Sequence, residues 1–527
     1  MQRSLFPALL FCVSLILFSG REIQAEGVTP YAPMPVDQDG RAVKLTLEQI
    51  IKFVLEHNIS VRLDKYDIVK SDTAERKENS KYAPVIGGGI SASRSVSNRT
   101  RSSIFQGTDQ SKNKNYLYVE KAFSSGTFLR VEGSDVREDS NAGKETLTQT
   151  SAFSGLSRPP QHTGSVAVTL QQEFVKNAFG YSQRRIDQMA RNNAAMQRQA
   201  LTQKLSQLVV ETMVDYWQLS TAEWNVKTAT MLLDNVRNIR NVTINKRTLG
   251  LAEYFEVQQW DALLAQSESS LKQATLQRDQ LRRNLLRVMN LAPDTRLTGA
   301  TELREEMPAG VNLARDVELA MENRPDLKNL ELAMRNSRMQ LEIAENNRQP
   351  SVTLGGTYAS RDYGRHGNTA FNQVGTNRYP EYQVELKASY PLWDEGNRVD
   401  ARNARIDLRK SKLEEDLLRR QVADEVRSAI DEMQTSHSIL ANARRALDRN
   451  ENYYQGLLYR YGQGRFTAVA LKNALDAVAQ SRNYLAEALI QFNISLVRYD
   501  LARNMVWKRY NIDIDKVIGE LQGSVSD

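Results

Sequence analysis

Residues 47–58 read Leu47-Glu48-Gln49-Ile50-Ile51-Lys52-Phe53-Val54-Leu55-Glu56-His57-Asn58. At an offset of 266 comes Leu313-Ala314-Arg315-Asp316-Val317-Glu318-Leu319-Ala320-Met321-Glu322-Asn323-Arg324, with the same apolar and acidic pattern. Pro84 and Pro350, each opening an alternating segment, keep that offset without a gap. Repeats have to be settled first, because a missed duplication misreads the whole fold. Further along, residues 168–174 correspond to 386–392 at 218, and Gly250 to Gly464 at 214. The first copy therefore carries 48 extra residues between Pro84 and Phe174, confined to the alternating region. The copies read as 45–310 and 311–504, with a Pro-containing segment 26–44 before them and a tail 505–527 after.

Each copy divides into a helix, a strand region, a very long helix and a shorter helix after a Gly-containing turn. Leu201, Leu205, Leu208, Thr212, Met213, Tyr216 and Trp217 recur at three- and four-residue steps, as do Leu232, Leu233, Val236, Ile239 and Val242, the spacing of an amphipathic helix. No proline interrupts 180–250 or 396–464, so each run can extend for about 100 Å at the α-helical rise. No compact globular domain is that long.

The strand regions alternate with period two. Val352, Leu354, Gly356 and Tyr358 oppose Ser351, Thr353, Gly355 and Thr357, while Tyr382, Val384, Leu386, Ala388, Tyr390 and Leu392 oppose Gln383, Glu385, Lys387 and Ser389. Ile86, Gly88, Ile90 and Ala92, then Val166, Val168 and Leu170, do the same in the first copy. A soluble sandwich shows this alternation, and so does an outer-membrane barrel with its apolar face toward lipid. Helix length decides for the barrel. Four to six strands cannot close a water-filled barrel and an open edge cannot face lipid, so several copies must share one wall.

Charged residues make up 25% of the chain and mean hydropathy is −0.52, too polar for a bundle of membrane-spanning helices. The apolar stretch 5–18, preceded by Arg3 and followed by Ile23-Gln24-Ala25, reads as a signal peptide over 1–25. Its removal lowers the net charge from +7 to +6 and takes away Cys12, the single cysteine, which excludes disulfides and thiolate chemistry. Lipidation at Cys12 would need an unusually short apolar region and a bulky Phe11 beside the cut.

The chain resembles the TolC-like outer-membrane efflux protein family from about Leu45 to Asn504. The resemblance rests on the duplicated helix openings with Pro84 and Pro350, on the strand exit Tyr390-Pro391-Leu392-Trp393-Asp394-Glu395-Gly396, and on two paired turns. These turns are Lys246-Arg247-Thr248-Leu249-Gly250-Leu251 and Tyr459-Arg460-Tyr461-Gly462-Gln463-Gly464-Arg465. The resemblance implies a homotrimer in the outer membrane of a Gram-negative-type cell, with a shared transmembrane β-barrel continuous with a long periplasmic α-helical coiled-coil barrel. It also implies a passive exit duct, for efflux or type I secretion, working with a periplasmic adaptor and an inner-membrane pump. The adaptor would dock on Arg247, Leu249, Gly250, Leu251, Tyr461, Gly462, Gly464 and Arg465 at the tip. The aperture would lie at Glu256, Ala470 and Asn473. Glu256 matches an acidic family position, whereas Ala470 and Asn473 stand where the best-known members carry carboxylate rings, and the first copy's exit has Glu173-Phe174 in place of Pro-Leu.

Plainer readings stand beside these. Gly250 and Gly464 serve as helix C-caps; Glu253, Glu256 and Asp261 either form an acidic rim or complement a helix N-terminus; and Trp217, Trp224 and Trp260 are packing or interface residues. His57, His162, His366 and His437 have no metal-ligand spacing. The sequence holds no phosphate loop and no nucleophile motif, so neither an enzyme nor a cofactor is expected. Interspersed charges such as Arg409, Lys410, Lys412, Glu414, Glu415 and Asp416 argue against a nucleic-acid partner. The competing class is an extracytoplasmic coiled-coil scaffold or adhesin with a soluble β-domain.

Within the 48 extra residues, 116–120 and 128–132 flank Ser124-Ser125-Gly126 as a hairpin. Each apolar run is shorter than the 9–11 residues or so that a bilayer-spanning strand takes. The expectation is therefore an α+β chain contributing four strands to a twelve-stranded wall, with the hairpin at the rim, and the alternative is six strands.

Overall fold

The computed structural model describes residues 43–98, 107–142, 159–295, 297–299, 303–463, 465–510, 512–513 and 516–517. The signal segment with Cys12, and Gly464, lie outside the described residues. The first copy runs β1 (Val43–Leu45), α1 (Leu47–His57), α2 (Ile59–Asn79), β2 (Val85–Val96), β3 (Asp109–Ala122), β4 (Thr127–Ser140), β5 (Gln161–Glu173), α3 (Tyr181–Thr248) and α4 (Tyr254–Val288). The second runs β6 (Leu297–Gly299), α5 (Leu313–Asn323), α6 (Pro325–Asn347), β7 (Ser351–Gly364), α7 (Gly367–Gln373), β8 (Tyr379–Ser389), α8 (Glu395–Gly462), α9 (Ala468–Ala502) and α10 (Val506–Arg509).

The duplication is kept to the residue in three of the helix pairs. Helices α1 and α5 each have 11 residues, α3 and α8 each 68, and α4 and α9 each 35. The caps repeat as well. Thr46 and Gln49 form a reciprocal capping box at the start of α1, and Asn312 accepts from the Arg315 amide at the start of α5. Asn290 and Asn504, just past α4 and α9, both take left-handed φ, 56° and 54°, a conformation asparagine tolerates better than most residues.

Six strands form one antiparallel sheet in the order β2-β3-β4-β5-β7-β8. The expectation of four strands is corrected here. The inserted hairpin separates β2 from β5 and pairs along its whole length on both sides, Val85 to Val96 opposite Glu120 to Asp109 and Thr127 to Glu138 opposite Gln172 to Gln161. Apolar run length underestimated these strands because the ladder is made by backbone groups, and it continues through polar positions such as Asn113 and Arg137. The hairpin turn is also pinned: Gly126, at φ 70°, accepts from the Glu173 amide, and Gly180 ahead of α3 lies too close to Ser124 to carry a side chain.

Beside the sheet, α2 packs on α3, α3 on α6 and α6 on α8; farther away, α4 packs on α3, α3 on α9 and α9 on α8. Four helices thus run side by side at each level. The core of the first copy gathers Ile50, Leu285, Leu286 and Met289 with Trp217 and, from the C-terminal segment, Val506 and Trp507. At the equivalent places in the second copy stand Asp316, Tyr499, Asp500 and Arg503. There the Tyr499 hydroxyl donates to Asp316 Oδ2 at 2.7 Å, Arg503 spans Asp316 and Asp500 at 2.9 Å each, and Arg509 closes on Asp500. Burial, then the hydrogen bond to Asp316, push the Tyr499 phenol far above its ordinary value.

Removing one member of such a network leaves its partners buried and unpaired. Asp316→Ala should therefore cost about 3–5 kcal/mol. The variant Asp316→Ile with Tyr499→Leu, Asp500→Leu and Arg503→Met, which copies the first repeat, should cost less than the single change. Denaturant titration of the purified protein followed by circular dichroism compares them.

Candidate functional site in the strand wall and the helix tips

The pleat sends alternate residues to opposite faces, and strand register aligns those faces across all six strands. On one face Ile86, Val119, Val131, Val168, Tyr358 and Tyr382 stand directly opposite one another in a single row. Leu117, Leu129, Leu170, Val384 and Leu386 share this face, and the edge positions Ile90 and Val384 are 78% and 79% exposed. An apolar surface of this breadth has no place in water.

The opposite face carries charge, self-paired. Glu132 accepts from Lys114 and Arg130 at 2.8 Å each, Arg130 also reaches Glu120, Lys112 meets Glu138 at 2.9 Å, and Arg361 meets Glu381. The Arg130 guanidinium lies 3.9 Å over the Tyr118 ring. Tyr118 and Tyr116 in turn lie against Gly87 and Gly89 of β2, where a Cβ would come within 2.5 and 2.6 Å of the rings. Lipid outside and water inside is the assignment this polarity allows. The short helix α7 lies on the outer face, its Ala370 against Gly164 and Gly364 and its Phe371 against Gly133. Periodicity gave no signal for it, since seven residues hold too few turns.

At the far end of the long helices, Gly250 takes φ 72°, with its amide on the Arg247 carbonyl at 3.0 Å and that of Leu251 on Lys246 at 2.9 Å, so its capping role holds. Leu249 and Leu251 are 73% and 60% exposed, and Arg247, Gly250, Gly462 and Arg465 are exposed beside them. Tyr461 is not: it is fully buried, which removes it from any docking surface. Its ring fills the space among Val236, Ile239, Trp260 and Leu457, its hydroxyl pairs with Thr243 Oγ1 at 2.8 Å, and Lys246 Nζ lies 3.9 Å over the ring. Burial pushes its phenol up. Sequence spacing placed Tyr461 in the last turn but did not say which way it faced. Glu256 and Ala470 are half-buried in the first turns of α4 and α9, and Asn473 is exposed. Trp217 and Trp260 are buried and Trp224 is exposed. Among the described residues no group of His, Cys, Asp and Glu could hold a metal, and no helix is long and apolar enough to cross a membrane.

Comparison with known proteins agrees with this architecture. The outer membrane efflux protein family model matches residues 317–501, most of the second copy. The outer-membrane channel OprN aligns at 18% identity over 91% of this chain and 96% of its own, with a TM-score of 0.63. The outer membrane protein VceC of Vibrio cholerae aligns at 14% over 87% and 95%, TM-score 0.62, and the open state of the Neisseria gonorrhoeae channel MtrE at 15% over 91% and 95%, TM-score 0.60. No curated protein sequence matches the chain. The fold is that of the TolC-like outer-membrane channels. The efflux-family match is confined to the second copy, and over the whole chain the comparisons establish a shared fold.

Tyr461→Ala should empty a packed site at the tip and cost about 3–5 kcal/mol locally, whereas Tyr461→Phe should lose only the Thr243 hydrogen bond, about 1 kcal/mol. Amide hydrogen exchange in residues 236–248 and 454–462 should quicken strongly in the first variant and slightly in the second.

Proposed function

We propose that three copies of this chain form an exit duct that carries solutes from the periplasm through the outer membrane, fed by a periplasmic adaptor and driven by an inner-membrane pump. The observation that carries this reading is the continuity of the two-faced sheet with the 68-residue helices: one chain supplies both a lipid-facing wall and a tube about 100 Å long. The adaptor docks on the exposed tip formed by Arg247, Leu249, Gly250, Leu251, Gly462 and Arg465, a surface of apolar side chains rimmed by cations, with Gly464 belonging to the same turn in the sequence. Tyr461 serves behind it as a clamp between α3 and α8, so separating the two hairpins requires its contacts with Thr243 and Lys246 to break. The aperture is lined at Glu256, Ala470 and Asn473, which gives one carboxylate per copy.

In planar bilayers the purified protein should conduct ions as a trimer, its mass measured in detergent. A stable monomer, or recovery of the protein in the soluble periplasmic fraction, would instead favour the scaffold reading. Leu249→Asp with Leu251→Asp, both at exposed positions, should abolish export while leaving trimer amount unchanged on heat-free gels. Because one carboxylate per copy makes a weak cation site, a trivalent cation added on the tip side should leave conductance within about twofold, the change expected when surface charges act singly and are screened.

A further inference from the structure

We infer that the inserted hairpin lies within the lipid-facing wall, so that three copies close an eighteen-stranded barrel whose seam pairs β2 of one copy with β8 of the next. This rests on the duct reading and extends it to the width of the exit. Among the described residues β2 and β8 are paired on one side only, and they have nearly equal lengths, 12 and 11 residues. Both present apolar outer faces, and unpaired backbone beside such a face is not tolerated in lipid. With six alternating directions per copy, β8 and the next β2 run antiparallel, as every other neighbour in the sheet does.

The flanking helices continue the seam. Strand β2 follows α2, and β8 leads into α8; these are the two outermost helices of the level beside the sheet. Each shows an uncovered apolar stripe at helical spacing: Ile59, Leu63 and Tyr66 on α2, and Val399, Ile406, Leu413 and Leu417 on α8. Packing one stripe on the other makes a head-to-tail contact, which closes a ring when the rotation fits. The occupant of both edges is therefore a second copy of this chain.

The apolar belt supplies the geometry. On β2 it covers Ile86 to Ala92, rising away from the helices from the row that holds Ile86 and Tyr382, while on β8 it covers Tyr382 to Ala388, descending from that row toward them. A level belt drifting by about six residues over five strand-to-strand steps means strands tilted by ~40°, inside the range of closed barrels. At that tilt eighteen strands enclose a backbone diameter of ~36 Å and twelve only ~24 Å. Twelve helices side by side, four from each copy, make a ring of ~35 Å. The added hairpin thus matches the bore of the strand wall to that of the helical tube, and the duct has no step at the membrane. Keeping the belt level across the seam places Ile90 of one copy beside Val384 of the next.

The test uses the full-length trimer in a Cys12→Ser background. Ile90→Cys combined with Tyr382→Cys, Val384→Cys or Leu386→Cys covers the seam register, and oxidation of the best pair should give covalent dimers and trimers, with no product from any single variant. Absence of product from all three pairs, or product from a single variant, overturns the seam. Strand number is read separately by a bilayer-confined label. Cysteines at Leu117, Val119, Leu129 and Val131 should all react while those at Tyr118 and Arg130 do not. Unreactive Leu117, Val119, Leu129 and Val131 in a conducting trimer would sink the eighteen-stranded wall and leave the duct standing.

Discussion

Backbone amides and carbonyls in the hydrocarbon layer have no water to fall back on, so every one must be paired within protein. The organisation of this chain depends on that requirement. A six-stranded sheet with one apolar face satisfies its interior ladder and, among the described residues, leaves its two edge strands paired on one side only. The ion pairs on the opposite face follow from the same division: side chains turned away from lipid meet water, and they neutralise one another locally, as in the Lys114–Glu132–Arg130–Glu120 chain.

Away from the membrane the problem changes from pairing to levelling. The long helices have ordinary amphipathic cores, and their stability comes from burying apolar stripes against neighbours rather than from helix propensity. The two copies have solved the junction between the two helix levels differently. The first fills it with Ile50, Leu285, Leu286 and Met289; the second holds it with Asp316, Tyr499, Asp500 and Arg503. An apolar plug accepts small sliding, whereas a hydrogen-bonded ionic cluster admits one geometry. The C-terminal segment touches both, through Trp507 on Ser206 and Arg509 on Asp500, and so ties the two copies together.

Much of this was legible in the sequence, because duplication, periodicity and proline spacing are properties of the chain itself. The offset of 214 from Gly250 to Gly464 reappears in the matching bounds of α3 and α8 and of α4 and α9, and the openings at Pro84 and Pro350 mark the starts of β2 and β7. What the sequence hid depended on direction and on partners. Tyr461 lay in the right turn but points inward, since a helix residue's facing depends on which neighbouring helix covers it. The hairpin's place in the sheet was obscured because strand length is fixed by the ladder on either side and not by the length of an apolar run. Helix α7 left no trace because it is held by the glycines of other strands rather than by its own pattern.

The equality of the paired helices, 68 with 68 and 35 with 35, acts as a ruler that the chain cannot lengthen on one side only. A single inserted residue would raise one tip by about 1.5 Å and turn every side chain beyond it by roughly 100°. In the strand region, by contrast, a pair of added strands changes the girth and leaves the height alone. The 48 residues gained by the first copy fall in that region. Growth in this architecture is thus channelled sideways.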